Sequence, residues 1–290
     1  MADTRAIADM AQQHPDAIRE LERRSTYPAS RPLAEALTQA QADALAQWIT
    51  KAGPGRNTPV GDALRQLVDY VRRLLRDAFA GRGKQAQRDA ERAAYNAAQL
   101  GARQASAIAA AMSGQHVPPV QAEPGPEAQQ ACEAIPAAVE AEHSNALALL
   151  TAAGLTAMGL AGLTAVFQRA RRAVGRITAG MAVAITSAAA HGARLVTRAL
   201  GPGVRLLWVA EPDACAACAA YAGHHIRPGG LFPGGLSLDP QRTVFTTAIP
   251  GPPRHPHCRC GVIPWSPAWP ATGTPLPILL RQRARTARRP

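Results

Sequence analysis

The chain has 290 residues, enough for two domains or for one domain with long helical arms. Only 4% of residues are aromatic although 47% are hydrophobic, and much of that fraction is alanine. Alanine favours helix but buries little area, so the composition counts against a thickly packed globule. The net charge of +12 favours polyanionic partners, namely DNA, RNA or an anionic membrane surface. A general enrichment in Arg and Ala would produce the same total, but it explains local clusters less well.

Residues 1–112 read as an N-terminal helical region. Asp3 to Arg24 predicts one or two short helices around His14-Pro15, and residues 31–52 a further helix ended by the breaker Gly53-Pro54-Gly55. Thr58-Pro59 resembles an N-cap followed by proline at the first helical position. Leu64, Leu67, Val68, Val71, Leu74, Leu75, Ala78 and Phe79 then recur at helical spacing with Arg65, Arg72, Arg73 and Arg76 between them. Gly81 and Gly83 are expected to stop that helix, and residues 84–112 form a charged, then alanine-rich, one. Residues 113–131 hold four prolines among polar residues and read as a linker. Helical pattern returns over 132–200. Residues 1–30 are polar and charged, without a signal peptide, so the expected setting is a reducing cytosol.

Ala146 to Phe167 is uncharged for 22 positions, which is long enough to cross a bilayer. Arg169, Arg171, Arg172 and Arg176 follow it as they would on a cytoplasmic side. An alanine-rich helix buried against other helices gives the same pattern, and a buried assembly interface, or a segment that meets membrane only transiently, is the expected use.

After residue 200 the composition changes. Fifteen of the 25 prolines and three of the four tryptophans lie there. This part is expected to be loop-rich, with short strands at Arg205–Val209 and Thr243–Ala248. The fold class is therefore mainly α, with long Ala-rich helices in the first 200 residues and a small loop-rich α+β module over 201–270. A loop-rich module with few apolar residues usually needs a staple. Cys215 and Cys218 form a CxxC; after 39 intervening residues Cys258 and Cys260 form a CxC. Two thiolates three residues apart can bite one tetrahedral ion, and four from two separated turns would close a structural zinc site with no open position for water. His255 and His257 could each substitute for a cysteine, and His224 and His225 could also approach. Two disulfides, or reduced cysteines packed as small hydrophobes, remain as alternatives; in a reducing setting, paired cysteines lean toward metal.

The succession Trp208, Asp213, Cys215, Cys218, Gly223, a Pro/Gly-rich loop and His255-Pro256-His257-Cys258-Arg259-Cys260, with Pro264 after it, resembles the signature of the phage Mu F-like head morphogenesis (minor head protein) family. The resemblance covers about residues 140–265. It implies a helical lead-in and a small α+β C-terminal unit. It also implies a non-catalytic minor capsid component, at the portal vertex or capsid interior of the virion. Such a component would meet portal and capsid proteins, and would serve head assembly and DNA packaging or ejection after synthesis in the host cytoplasm. The loop Arg227–Pro253 is richer in Gly and Pro than that pattern suggests.

The tail 271–290 carries Arg281, Arg283, Arg285, Arg288 and Arg289 without an acid. It reads as a disordered segment that meets phosphate without sequence preference, or as a solubilising tail. The cluster Arg169, Arg171, Arg172 and Arg176 is a second nucleic-acid-facing candidate. There is no GxSxG, no HExxH, no P-loop at Gly83-Lys84 and no zinc-deaminase HxE with PCxxC. Two other functions stay open: a metal-dependent nuclease or hydrolase using His255, His257 and Asp213, and a membrane-associated protein using 146–167.

Overall fold

A computed structural model of the chain describes residues 2–53, 58–239, 241 and 245–288. The protein is mainly helical, with long helices in the first 200 residues and a small loop-rich C-terminal region holding a few short strands. The elements are β1 (Ala2–Asp3), α1 (Thr4–Ala52), α2 (Gly61–Phe79), α3 (Arg82–Ser113), α4 (Pro126–Leu149), α5 (Ala152–Met158), α6 (Leu160–Ala199), β2 (Arg205–Val209), α7 (Ala216–Ala220), β3 (His225–Ile226), β4 (Gly261–Trp265), β5 (Ala271–Thr272) and α8 (Leu276–Thr286). They form two compact units. One comprises residues 1–24, 90–131 and 181–290, the other residues 25–89 and 132–180.

The first unit contains the cysteine region. Its sheet has the order β3-β2-β4, with both pairings antiparallel and Leu207 opposite Ile263. One face presents Leu207, Val209 and Ile263 to Ile7, Ala8 and Ala11 of α1, Ile108 and Met112 of α3, and Leu276 and Leu280 of α8. Alternation along β2 turns Trp208 to the opposite face. There its ring centroid lies 5.0 Å from Tyr221 and 5.1 Å from Phe232. Gly261 lets α1 approach β4, since a Cβ there would lie 2.2 Å from the His14 ring. In the same unit α3 and α6 touch backbone to backbone: a Cβ on Gly101 would lie 2.0 Å from the Ala189 carbonyl oxygen, and one on Gly192 2.1 Å from that of Ala98.

Among the described residues, the elements of the second unit are all helices. Leu33, Leu37 and Trp48 of α1, Leu67, Val71 and Leu75 of α2, Ile135 of α4 and Phe167 and Ile177 of α6 are buried. Burial of Leu64, Leu67, Val68, Val71, Leu75, Ala78 and Phe79 follows the apolar stripe read from the sequence. Phe79 stacks on His143 at 4.6 Å. Glu142, 2% exposed, takes ion pairs from Arg169 at 3.0 Å and Arg176 at 2.9 Å.

Several boundaries differ from the sequence reading. The two N-terminal helices are one, because α1 runs through Pro15, Pro28 and Pro32. Each proline removes one backbone hydrogen bond and crowds the preceding turn. The buried stripe nevertheless continues past each of them, through Ile7, Ala11 and Ile18, then Ala29, Leu33, Leu37, Ala40, Ala44 and Trp48. Between the second and third prolines the Ser30 hydroxyl donates back to the Thr26 carbonyl at 2.8 Å. Helix α1 ends at Ala52; Gly53 is left-handed, and Pro54 and Gly55 of the expected breaker lie outside the described residues. The N-cap of α2 is Val60, not Thr58. Gly81, at φ 68°, ends the turn after α2, while Gly83 lies inside α3, where a Cβ would meet the Pro136 backbone at 3.0 Å.

The segment read as a linker ends early, because Pro126 already opens α4. The uncharged run 146–167 is not one helix. Leu149 ends α4, Thr151 caps α5 through its side chain, and Gly159 at φ 57° separates α5 from α6. The one described helix long and apolar enough to cross a membrane is α6, and 61% of its most apolar window is buried. Strand Arg205–Val209 is present. Thr243 and Val244 of the other expected strand lie outside the described residues, and 245–248 are not strand.

Candidate metal centre

Four local structures converge at one end of the β2–β4 pair. After β2 the chain turns at Glu211 to Asp213 and enters α7, whose N-cap is Cys215; the thiol accepts the Cys218 backbone N–H at 3.4 Å. The CxxC thus straddles the first turn of a short helix, which places both sulfurs on one side. Cys258 and Cys260 sit just before β4, and alternation along that extended stretch returns both sulfurs to the cluster. Between the two pairs runs the Gly/Pro-rich loop, pinned by a Phe232–Ile249 bridge. Arg254 lies 5.0 Å from the Tyr221 ring centroid and 5.5 Å from that of Phe245, and donates to the Thr247 and Phe245 carbonyls.

The ligand atoms form two overlapping groups that could hold a metal ion. Cys215, Cys218 and His255 make one, and Cys218, Cys258 and Cys260 the other, with donor atoms within 4.8 Å of one another in each. Cys218 belongs to both. Its sulfur lies 3.3 Å from His255 Nε2 and 3.7 Å from the Cys258 sulfur, while Cys215 lies 3.4 Å from the same imidazole nitrogen. Cys218, Cys258 and Cys260 are buried, and no disulfide joins any of the five cysteines. The two-disulfide alternative is therefore not what this arrangement contains. Cys132, in the other unit, is buried and takes no part.

His255 is held for this position. Its ring stacks on Phe245 at 5.6 Å, and Nδ1 lies 2.8 Å from the Pro256 carbonyl. A carbonyl only accepts, so Nδ1 carries the proton and Nε2 offers its lone pair when the ring is neutral. His257 faces elsewhere. It adopts a left-handed φ of 62°, and its Nδ1 lies 3.1 Å from Glu22 Oε1 of α1. It belongs to neither ligand group, so of the two histidines offered as substitutes the geometry brings in His255 alone. Asp213, the acid of the nuclease reading, pairs with Arg19.

The electrostatics are those of a crowded thiol array. Cys215 is pulled down to about 4 by Cys218 and His255, and His255 is pushed up to about 9 chiefly by Cys215. Cys258 is held well below the usual thiol range by Cys218 and Cys260. Cys218 is pushed far up by its three sulfur neighbours, and Cys260 also lies well above the ordinary value, with Cys258 and burial raising it against a lowering pull from Cys218. So many sulfurs this close cannot all ionise without a shared cation.

A ring of charges grips the site from α1, and nothing in the sequence pattern pointed to it. Glu22 accepts from Arg259 Nε at 2.8 Å, and Glu211 takes the Arg259 backbone N–H at 3.1 Å and Arg19 at 3.2 Å. Burial raises the Glu211 carboxyl above its ordinary value despite those donors. Arg259 was legible as part of the HPxCRC ending; Glu22 and Arg19, about 235 residues earlier, carried no signal.

The basic candidates are largely used inside the fold. The expected disordered tail is instead helix α8, docked through Leu276 and Leu280. Arg283 pairs with Asp9 at 2.7 Å, Arg281 donates to the Gly223 carbonyl at 3.4 Å and Arg288 to that of Ala214 at 2.6 Å. Arg285 lines an open surface cavity with Arg288, and Arg289 lies outside the described residues. In the second unit Arg169 and Arg176 are committed to Glu142, Arg171 bonds Gln41 and Thr38, and Arg172 is exposed. Comparisons with protein-family models, with curated proteins and with solved structures find no match for this chain.

Proposed function

We propose that the protein is a non-catalytic phage or prophage minor head component whose C-terminal module is stapled by one structural zinc ion. The observation that carries the reading is convergence. The CxxC, His255 and the CxC, which are the residues of the Mu F-like resemblance, meet in one largely buried cluster although up to 45 positions separate them. Two sulfurs bound at about 2.3 Å to a tetrahedral ion sit roughly 3.8 Å apart, and the Cys218–Cys258 separation of 3.7 Å suits that edge. Each group supplies three donors around Cys218, and a fourth drawn from the other group by a small side-chain shift would complete a tetrahedral set of the closed structural type rather than one that keeps a water position. Zinc there would neutralise the thiolates and tie the start of the module to its end. Portal and capsid proteins are the proposed partners, DNA the proposed cargo, and the capsid interior or portal vertex the proposed location.

The metal half is tested by elemental analysis and thiol titration of the intact chain. One zinc per chain, with thiols that react only after chelation, is the expected result; a metal-free chain with all thiols reactive rejects it. Cys258→Ser is expected to abolish zinc uptake, and His255→Ala and Cys215→Ser, compared side by side, identify the fourth ligand. The head-protein half is tested by co-expression with the adjacent genes and sedimentation of any particles formed. Tagged protein travelling with capsid-sized particles supports it. A chain that stays at the top of the gradient while particles form sinks it.

A further inference from the structure

The loop-rich region also builds a cavity away from the thiols. It has a volume of about 260 Å³, with Glu127 in the first turn of α4, His191, Arg194 and Arg198 on α6, and the Pro228-Gly229-Gly230 turn among its lining. A second cavity of the same volume adjoins it past Glu127, Arg194 and Pro250, toward Gln130 and Ser187. We propose that this groove is a binding site for a phosphate group, held between Arg194 and Arg198.

Arg194 is the fixed element. Its side chain is 11% exposed, and one guanidinium nitrogen lies 3.1 Å from both Glu127 Oε2 and His191 Nδ1. A guanidinium has no acceptor, so His191 Nδ1 accepts and Nε2 carries the ring proton as a further donor. Burial, and then the Arg194 charge, lower the His191 pKa, which keeps the ring neutral at pH 7. The ring is also wedged by the backbone, since a Cβ on Gly125 would lie 2.3 Å from it. Arg198 is exposed and free to swing over a ligand. Gly229, at φ 83°, faces open space, so the rim offers backbone without a side chain in the way.

The groove already contains an oxyanion of its own. Burial opposes ionisation of Glu127, yet its carboxyl is held below the ordinary value by its own backbone N–H and by Arg194. That carboxylate is 44% exposed and can swing out. A phosphate taking its place would meet the Arg194 fork in the bidentate manner guanidinium favours, and would add Arg198. The site therefore balances two cations against one removable acid. By contrast, Arg169 and Arg176 are tied to the buried carboxylate of Glu142, which cannot swing out, and Arg281 and Arg288 to backbone carbonyls.

The test uses the full chain and titrates inorganic phosphate by calorimetry at low salt, beside a fluorescein-labelled DNA oligonucleotide read by anisotropy. Phosphate is expected to bind the parent. Arg198→Gln is expected to weaken it about tenfold, and Glu127→Gln to tighten it about tenfold by removing the competing carboxylate. Arg172→Gln, which removes the same charge from an exposed site on the other unit, is expected to change nothing. Glu127→Gln guards against loss through misfolding, since it must improve binding. DNA that displaces phosphate and shares the Arg198 dependence identifies the source as a phosphodiester backbone; phosphate binding without DNA binding identifies a small phosphate monoester. No binding at millimolar phosphate, or equal affinities across the variants, overturns the proposal. It stands apart from the zinc reading, whose failure would leave it untouched.

Discussion

His14 shows how much one side chain can be asked to give up. It sits on α1 beneath Gly261, fully buried, with no hydrogen bond of normal geometry to either ring nitrogen. Burial pushes its pKa from 6.5 down to about 4, against a smaller opposing pull from Gln104. The unfolded chain therefore binds this proton more tightly than the folded one. Stability is whole above pH 6.5 and is lost as pH falls toward 4, by up to about 3 kcal/mol. In denaturant titrations the stability of the parent relative to His14→Leu should fall by up to about 3 kcal/mol as pH drops through that window. A stability difference that stays constant from pH 7.5 to 4 would show that the imidazole is not desolvated as described. The other residue-scale lesson is His257, one position from Cys258 yet turned by its left-handed backbone to Glu22. Sequence proximity to a candidate ligand does not bring a side chain into its cluster.

At the scale of elements, the alanine content acquires a physical use. Ala97, Ala98 and Ala102 of α3 and Ala188, Ala189 and Ala193 of α6 are all buried, and Gly101 and Gly192 remove the last side-chain atoms between the two backbones. Alanine is the better helix former by about 1 kcal/mol. Gly101→Ala and Gly192→Ala should nonetheless each destabilise the protein by about 2–3 kcal/mol, because the new methyl meets a rigid carbonyl rather than a movable side chain. Urea denaturation checks the sign; a stabilised variant would mean that the helices do not meet there. Helix α8 makes a comparable case. Leu280, 3% exposed, should cost about 2–4 kcal/mol when cut to alanine, whereas a solvated basic tail would cost nothing.

Across the whole molecule, the charge of +12 overstates the cation available to partners. Many arginines close internal pairs, and those around Glu22, Glu211 and Glu142 hold separate stretches of chain together. The thiol cluster makes a similar long-range tie, and its expected contribution is measurable as a shift in melting temperature. A metal present at about a hundred times its dissociation constant adds roughly 2.7 kcal/mol. In a unit of this size that corresponds to about 5–10 °C. Chelation of the zinc-loaded chain should lower the melting temperature by that amount, and the Cys258→Ser variant should not respond. An identical response in both proteins would place the chelator's effect elsewhere.

The sequence by itself determined the helical character of the first 200 residues, the apolar stripe of α2, the change to a loop-rich region after residue 200, and strand β2. Each of these is written in local periodicity or composition, which near neighbours along the chain suffice to express. The spacing of the cysteines likewise marked them as one potential cluster. Only the tertiary structure decided the rest. Burial of one continuous stripe carried α1 through three prolines that local rules treat as breaks. Contacts with Asp9, Ala214 and Gly223 drew a basic tail into a docked helix. Glu22, His257 and the choice of His255 as the imidazole beside the thiols depend on groups more than thirty residues apart meeting in space. No periodicity records such meetings, because their energy exists only once the chain has folded.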